Sequence, residues 1–256
     1  MPIREAACPV VPLLALLLLA TASAHAVTCN QFKRQSLTFT ACRVDLKQEE
    51  LRLYWQDDDH RPFQGFAALQ SFLARQGRTL EFAMNAGMFR PDYSPAGLYV
   101  ESGQVLRKLN RASGPGNFHQ QPNGVFLVDA DGARVMSTQE YADANPHPRF
   151  ATQSGPLLVH AGQIPATPLF RAGADSRYVR NGVCAPTPAS VVFVISESAV
   201  TFPEFASFFR DGLGCRDALY LDGSVSSLYS RALNRSDSFR LIGPMLAVAS
   251  GGPATR

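Results

Sequence analysis

The segment Leu219–Ser227 holds the most distinctive group of potential catalytic residues in the sequence. Its apolar beginning predicts a short strand, which ends in the carboxylate of Asp222 and is followed by Gly223, Ser224 and further small residues. Such a carboxylate is held rigidly on one side and open on the other, and free N–H groups in a glycine turn can bind an anion. The pattern therefore predicts a catalytic Asp222, with Gly223 and Ser224 binding substrate. The alternative is an aspartate that only caps its own turn.

Two arginines, Arg177 and Arg180, precede Asn181 in a second polar segment. Guanidinium groups bind phosphate through forked hydrogen bonds, so this segment predicts a phosphate site with Asn181 as a further substrate-binding residue. Side chains three residues apart point to opposite faces of a strand, so the spacing leaves open which arginine faces the site. The alternative for either one is an ordinary surface arginine.

Three further polar side chains are candidates for catalysis or binding. Asn85 ends an apolar run, and its amide could bind a sugar hydroxyl or orient a water molecule, unless it only forms a turn. His119 could transfer a proton near neutral pH, although a single histidine is more often a loop or core residue. Asn123, in the same segment, is a further candidate for substrate binding.

Polar groups at predicted strand edges complete the candidate site. Gln153 and Ser154 are candidates for substrate binding, and Glu101 is a reserve acid or base. The spacing between histidines and acidic residues does not match a metal site. No metal ligands and no cofactor are therefore predicted, while a need for a divalent cation is left open.

Four segments, taken in order along the chain, resemble the motifs of the phosphodiester glycosidase family. The family's Asn-x-Gly-x-Phe motif is matched by Asn85–Phe89, and its Gln-Ser-Gly-Pro-x-Leu motif by Gln153–Leu158. Its arginine-bearing motif is matched by Arg177–Gly182. Its Leu-Asp-Gly-Gly-x-Ser-Ser motif is matched by Leu221–Ser227, with a serine in place of the second glycine.

This resemblance implies hydrolysis of a sugar–phosphate diester at the anomeric carbon. Phosphate is a good leaving group, so a single carboxylate, Asp222, could suffice to activate water or attack the sugar. The resemblance places the phosphate on Arg177 or Arg180. The residues that would position sugar and phosphate oxygens are Asn85, Gln153, Ser154 and Asn181. Two other hypotheses stay open: a non-catalytic envelope glycan-binding protein on the same scaffold, and a metal-dependent phosphodiesterase that cuts the P–O bond.

The N-terminal residues predict export. Arg4 supplies a positive charge, Val10–Ala20 is apolar, and Ala24-His25-Ala26 matches the small-x-small pattern of a cleavage site. We therefore expect a signal peptide over residues 1–26, a phosphodiester glycosidase-like domain over residues 27–256, and a periplasmic or secreted protein. The alternative is an uncleaved anchor, but so short an apolar run does not span a bilayer. No stable membrane insertion is expected after cleavage.

Composition and charge narrow the choice of partner. Hydrophobic residues make up 46% of the chain and charged residues 18%, with a formal net charge of +3. A nucleic-acid-binding protein would carry a dense patch of lysine and arginine, and no such run occurs. The expected partner is therefore a sugar phosphodiester or an envelope glycan substrate, and not a nucleic acid.

Four cysteines remain after the predicted cleavage site, which suggests disulfides in an oxidising compartment. Four cysteines allow three connectivities. The pairing of Cys29 with Cys42 and of Cys184 with Cys215 is favoured, because each pair then closes the shorter loop. The alternative is a set of reduced, buried thiols.

Strand-like runs separated by turns predict the fold class, which is α+β. We expect a β-rich single domain with a mixed or antiparallel sheet core and a few peripheral helices. Leu37–Leu46 and Leu51–Trp55 are predicted to pair as an opening hairpin. Apolar residues at helical spacing predict helices over Phe63–Gln76 and Pro203–Arg210.

Two stretches indicate a possible internal duplication. Gly97–Val105 resembles Gly155–Ile164 apart from one inserted residue, and each stretch is followed at the same distance by Asn-Gly-Val, at Asn123–Val125 and Asn181–Val183. So short a pattern can also match by chance. If the match is real, it implies two related sheet units whose glycine turns converge on one cleft.

Overall fold

The structure is a computed structural model, and it describes residues 27–251. The predicted signal peptide, residues 1–26, lies outside the described residues. The helices are α1 (Phe66–Arg75), α2 (Thr138–Ala144) and α3 (Phe202–Ser207). The strands are β1 (Val27–Arg34), β2 (Leu37–Asp45), β3 (Leu51–Tyr54), β4 (Arg78–Asn85), β5 (Tyr99–Glu101), β6 (Gln104–Arg107), β7 (Gly124–Asp129), β8 (Gly132–Ser137), β9 (Phe150–Ser154), β10 (Leu157–Val159), β11 (Asn181–Thr187), β12 (Ser190–Ser196), β13 (Ala218–Tyr220), β14 (Leu228–Ser230), β15 (Arg235–Ser236) and β16 (Met245–Gly251).

The strands form three sheets, and every strand pairing within residues 27–251 is antiparallel. The first sheet has the order β1-β2-β12-β11-β13-β10, the second β15-β14-β4-β16-β3, and the third β6-β5-β9-β7-β8. The predicted β-rich α+β class is confirmed, and of the two sheet types that were expected the antiparallel one is found.

The inner faces of the three sheets enclose one shared core. Phe193 of the first sheet packs against Phe82 of the second, with ring centroids 5.0 Å apart, and against Phe126 of the third, at 6.2 Å. All three rings are almost fully buried. Because apolar burial is the main stabilising term in folding, this shared core joins the three sheets into one unit.

Each outer face is covered by one helix. Phe205 of α3 packs on the first sheet, Leu69 and Leu73 of α1 pack on the second, and Tyr141 of α2 packs on the third. Strands covered on both sides read as continuous apolar runs, which explains the uninterrupted burial of Val191–Ile195 in β12.

The two predicted helices exist, with shorter bounds than expected. The one predicted over Phe63–Gln76 is α1, and the one predicted over Pro203–Arg210 begins at Phe202 and changes after Ser207 into a π-helical turn. Thr201 and Glu204 form a capping box at the start of α3, which satisfies two backbone donors there.

The predicted pairing of Leu37–Leu46 with Leu51–Trp55 is wrong. β2 pairs with β1 and β12 in the first sheet, whereas β3 pairs with β16 in the second. Only Gln35 and Ser36 separate β1 from β2, with Gln35 at a positive φ of 55°. β1 and β12 occupy the two edges of β2, so neither edge is left for β3.

The strand order supports the internal duplication. The order β5-β9-β7-β8 in the third sheet recurs as β10-β13-β11-β12 in the first. The turns after β5 and β10 also match, since Ser102-Gly103 and Ala161-Gly162 all have positive φ. We call β5 and β7–β9 the first repeat, and β10–β13 the second repeat.

Two disulfides confirm the predicted pairing. Cys29 is bonded to Cys42 across β1 and β2, and Cys184 of β11 is bonded to Cys215, which lies just before β13. None of the helices in residues 27–251 has the length and apolar character needed to cross a membrane.

Candidate active site

Three of the predicted site residues meet at the junction of the first and second sheets. Asp222 follows β13, Asn181 begins β11, and Asn85 ends β4. The Asn85 amide Nδ2 donates to the backbone oxygen of Asp222 at 2.8 Å, and the Asp222 backbone N–H donates to the oxygen of Ala86 at 3.1 Å. The backbone at Asp222 is therefore fixed by a strand from the neighbouring sheet.

A chain of buried amides supports this junction. Asn85 Oδ1 accepts from Nδ2 of Asn181 and from the backbone N–H of Ser227, both at 2.9 Å. The oxygen of the Asn181 amide in turn accepts from the hydroxyl of Ser226 at 3.1 Å. Hydrogen bonds in such a low-dielectric network strengthen one another, so both amides hold the turn after Asp222 in one conformation.

The Asp222 carboxylate has one oxygen held and one oxygen free. Oδ1 accepts from the backbone N–H of Ser224 at 3.1 Å and from its hydroxyl at 2.6 Å. Within residues 27–251, Oδ2 has no hydrogen-bond partner, although the residue is only 8% exposed. Burial raises the pKa of Asp222, and the two bonds from Ser224 oppose that rise only in part.

Arg180 is buried beneath this turn. It is 1% exposed and donates to the oxygens of Val200 and Ser176, at 2.9 and 2.7 Å, and to the hydroxyl of Tyr220 at 3.0 Å. Its guanidinium also lies 3.7 Å from the ring centroid of Phe202. Burial lowers the pKa of Arg180 and raises that of Tyr220 to about 12.

Arg177 lies on the surface. Its guanidinium donates through both terminal nitrogens to the same carboxylate oxygen of Glu204, at 3.1 and 3.2 Å. Glu204 also caps α3. The two arginines therefore differ strongly in environment, and neither guanidinium lines the cleft that opens beside the Asp222 turn.

Gln153 ties the second motif to a neighbouring loop. Its side-chain oxygen accepts from the backbone N–H groups of Leu98 and Asn110, both at 2.9 Å, and its amide donates to the oxygen of Asn110 at 2.7 Å. A Cβ added to Gly87 would lie 2.3 Å from the backbone oxygen of Gln153, so the glycine of the first motif allows the two motifs to touch.

The remaining predicted residues have no hydrogen bond to the Asp222 network within the described residues. Asn123 donates to the oxygen of Phe118 at 2.9 Å, and its own Oδ1 is buried without a partner, as is the hydroxyl of Ser154. His119 Nδ1 lies 2.8 Å from the oxygen of Ala112.

Glu101 belongs to a separate cluster on β5. Its carboxylate accepts from the hydroxyl of Tyr99 at 2.7 Å, and burial raises its pKa. Arg52 of β3 is the cation close enough to oppose that rise. In residues 27–251, no three His, Cys, Asp or Glu side chains lie close enough together to share a metal ion.

A cleft of about 550 Å³ opens directly beside the Asp222 turn. We call it the Ser224 cleft, and its polar and aromatic lining residues are Tyr178, Ser196, Glu197, Ser224, Ser226, Ser227, Arg235, Asp237, Phe239 and Arg240. A larger cavity, of about 1150 Å³, is lined by Leu46–Arg52 and parts of β8 and β16, but it contains none of the predicted site residues. The smaller cleft is the relevant one, because the Gly223–Ser227 turn forms one of its walls.

Sequence reasoning did not find four charged or aromatic residues that line the Ser224 cleft. Arg235 lies in the two-residue strand β15, and Asp237, Phe239 and Arg240 follow it in an irregular segment before β16. No apolar period and no motif is visible there. The only local signal is the Arg-x-Asp spacing of Arg235 and Asp237, whose side chains form an ion pair at 2.9 Å.

The class of protein follows from a sequence comparison. A sequence model described as phosphodiester glycosidase matches residues 78–249. The chain belongs to the phosphodiester glycosidase family.

The chain is also similar to one bacterial protein in sequence and to two solved structures in fold. The Escherichia coli K12 protein YigE is 35% identical over 196 residues, which cover 77% of this chain and 76% of YigE. The catalytic domain of zebrafish N-acetylglucosamine-1-phosphodiester α-N-acetylglucosaminidase, auto-inhibited by its pro-peptide, is similar in structure with a TM-score of 0.57 at 14% identity, over 87% of this chain and 81% of that one. A hypothetical protein from Synechocystis gives 0.55 at 15% identity, over 88% and 62%. These two structural matches show a shared fold.

Proposed function

We propose that this protein is an exported hydrolase that cleaves a glycosyl phosphodiester at the anomeric carbon, with Asp222 as the catalytic carboxylate. The observation that carries the proposal is the state of Asp222: it is buried, its pKa is raised, and Ser224 holds one oxygen while the other is free. Membership of the phosphodiester glycosidase family supports the reaction class.

The proposed reaction uses the free oxygen of Asp222. Ionised Asp222 takes a proton from a water molecule through Oδ2, and the water oxygen forms a bond to the anomeric carbon. The bond from that carbon to the phosphate oxygen breaks, and the phosphate monoester leaves with the electron pair. Because this leaving group is already a weak base, no second carboxylate is needed to protonate it. Direct attack of Oδ2 on the sugar, followed by hydrolysis, uses the same oxygen.

Asn85 and Asn181 are proposed as positioning residues. Asn85 uses both its amide and its oxygen within the protein, and Asn181 bonds to Asn85 and to Ser226. They act on the substrate through the Asp222 turn, which must hold Oδ2 within reach of the reacting water. Misplacement of such a group by 1 Å can cost about a hundredfold in rate.

The export part of the proposal is supported by the two disulfides, since stable disulfides are typical of oxidising compartments. Fractionation of cells that produce the full chain, followed by N-terminal sequencing, tests it. The expected result is a protein outside the cytoplasm that begins at Val27. A cytoplasmic protein that begins at Met1 would contradict it.

The decisive experiment supplies aryl phosphodiesters of several hexoses to residues 27–256 in ¹⁸O-labelled water. Cleavage at the anomeric carbon places ¹⁸O in the released sugar, whereas cleavage at phosphorus places it in the phosphate. We expect labelled sugar from the wild type and almost none from Asp222→Asn. Label in the phosphate would select the phosphodiesterase hypothesis. Binding of the substrates without turnover would select the glycan-binding hypothesis.

A further inference from the structure

The Ser224 cleft contains one arginine, Arg240, that forms no ion pair within residues 27–251. Both acidic side chains on its wall are already occupied by Arg235, which lies 2.7 Å from a Glu197 oxygen and 2.9 Å from an Asp237 oxygen. Glu197 also accepts from the hydroxyl of Thr40, and Asp237 from the backbone N–H of Leu228. The two carboxylates share one guanidinium and keep one net negative charge, but both accept hydrogen bonds within the protein and neither is paired with Arg240.

Arg240 is the cation left over. It is exposed, and within residues 27–251 its side chain makes no ion pair and no hydrogen bond. Guanidinium groups recognise phosphate by paired hydrogen bonds. An exposed arginine that faces a cleft beside a buried catalytic carboxylate is therefore suited to an anionic part of the substrate.

Two exposed aromatic rings line the same cleft. Phe239 is 91% exposed and Tyr178 is 61% exposed. An isolated exposed aromatic side chain needs no explanation, but two beside one cleft are typical of a binding surface. Since Phe239 and Arg240 are adjacent in sequence, a ligand held by both would carry an apolar face next to its anion.

The volume of the cleft suits such a ligand. About 550 Å³ lies within the usual range for small-molecule sites. The Gly223–Ser227 turn, which follows Asp222 directly, and the segment with Phe239 and Arg240 both line the cleft.

We propose that Arg240 binds the phosphate of the substrate. Phe239 and Tyr178 then bind the non-sugar alcohol that is esterified to the same phosphate. This proposal rests on the proposed function and narrows the substrate class. The preferred substrates are glycosyl phosphodiesters whose non-sugar alcohol presents an aromatic or apolar face. Sugar phosphodiesters of small polar alcohols such as glycerol are poorer substrates.

The test measures binding and does not require turnover. Phenyl phosphate and inorganic phosphate are titrated by calorimetry into the wild-type protein and into Arg240→Gln, Arg240→Lys and Phe239→Ala. The matched control is Arg216→Gln, an exposed arginine before β13, at the end of that strand remote from Asp222. All five proteins are first compared by thermal unfolding, and these surface substitutions should not change the melting temperature.

We expect the wild type to bind phenyl phosphate more tightly than inorganic phosphate. Arg240→Gln should weaken both ligands about tenfold or more, since a hydrogen bond to a charged group has about that effect. Arg240→Lys should restore part of the loss, Phe239→Ala should remove only the preference for the phenyl group, and Arg216→Gln should bind as the wild type does.

Three results would overturn the proposal: no binding of phenyl phosphate by the wild type, equal binding by Arg240→Gln and the wild type, or a phenyl preference that survives in Phe239→Ala. Each of them can occur while the protein still releases labelled sugar from a phosphodiester. Conversely, the expected binding pattern without any turnover would leave this subsite standing and refute the proposed reaction.

Discussion

The two repeats share a strand order, but they differ in the side chains at the ends of two equivalent strands, β9 in the first repeat and β13 in the second. In the first repeat β9 ends in Gln153 and Ser154, whose side chains are buried, and Gln153 uses its amide to hold the loop at Asn110. In the second repeat β13 leads to Asp222, which keeps one carboxylate oxygen free. The same scaffold therefore supports a structural anchor in one copy and a candidate catalytic group in the other.

The asparagines that introduce the two Asn-Gly-Val strands show the same contrast. Asn123 donates to the oxygen of Phe118, five residues earlier in the chain. Asn181 donates to Asn85, which belongs to a strand of another sheet. The candidate site therefore lies where the second repeat meets the second sheet. There Asn85, a side chain outside the repeats, fixes the turn through Asn181 and Ser227.

The largest effect is expected from the carboxylate itself. Asp222→Asn should lower kcat by about 100- to 10,000-fold, because the amide cannot take a proton from water or attack the sugar. Ser154→Ala, in the first repeat, removes a buried hydroxyl that has no partner and should leave kcat near the wild-type value. Steady-state kinetics on an aryl sugar phosphodiester measures both. A comparable loss in both variants would end the distinction between the two repeats.

The second repeat also contains a disulfide, and we expect its removal to destabilise the protein more than removal of the Cys29–Cys42 disulfide. Cys184 and Cys215 are 31 residues apart, whereas Cys29 and Cys42 are 13 apart. Chain entropy gives a loss of about 4 kcal/mol of unfolding free energy when the longer loop is opened by paired serine substitutions, and about 3 kcal/mol for the shorter one. Denaturant unfolding measures this difference.

The loss of each disulfide should affect kcat more differently than it affects the free energy of unfolding. Cys184 lies in β11 three residues after Asn181, and Cys215 precedes the strand that leads to Asp222. We therefore expect kcat to fall in the Cys184/Cys215 variant and to stay unchanged in the Cys29/Cys42 variant, under conditions where both are folded. A fall in kcat in the Cys29/Cys42 variant alone would show that β1 and β2, and not the second repeat, position the site.

The paired asparagines provide a finer test. Asn181→Ala removes a donor to Asn85 and an acceptor for Ser226, so kcat should fall about 10- to 100-fold as the Asp222 turn loosens. Asn123→Ala should destabilise the protein by about 1 kcal/mol through one lost hydrogen bond, with little change in kcat. Kinetics and thermal unfolding of both variants separate the two roles. Equal losses of kcat would contradict them.

Much of this site could be predicted from local sequence patterns. The apolar run before Asp222, the Asn85 and Gln153 motifs and the cysteine spacings are each contained in a few consecutive residues. Such patterns predict strands, turns and a disulfide framework because the forces that set them act over short distances. The motifs also lie in contact in the folded chain. Gly87 packs against Gln153, and Asn85 donates a hydrogen bond to the backbone of Asp222.

The predictions that failed depended on choices between distant partners. The opening hairpin was wrong because β1 and β3 compete for β2, and only the assembled sheets decide between them. The environments of Arg177 and Arg180 could not be predicted, since Phe202 and Tyr220, which enclose Arg180, come from elements far along the chain. Phe239 and Arg240 lie in an irregular segment, whose position over the cleft follows from no periodic pattern.

The smallest expected effect concerns stability, and its sign is opposite for two aspartates near the second repeat. Burial raises the folded-state pKa of Asp222, so ionisation is penalised in the folded protein. The wild type should then lose stability relative to Asp222→Asn as pH rises from about 4 through the raised pKa, and stay lower above it. Melting temperatures from pH 4 to 8 measure this, and Asp222→Asn should be the more stable protein at neutral pH.

Asp211 is the matched control for that prediction. A hydrogen bond from Arg210 holds the pKa of this exposed carboxyl down at about 2, so its stabilising effect is present at neutral pH and is lost as pH falls through that value. Asp211→Asn should therefore be slightly less stable than the wild type at pH 7. If both variants shifted in the same direction, burial would not be the cause of the raised pKa at Asp222. If they shift in opposite directions, ionised Asp222 lowers the stability of the fold, as expected of a group that is retained for catalysis.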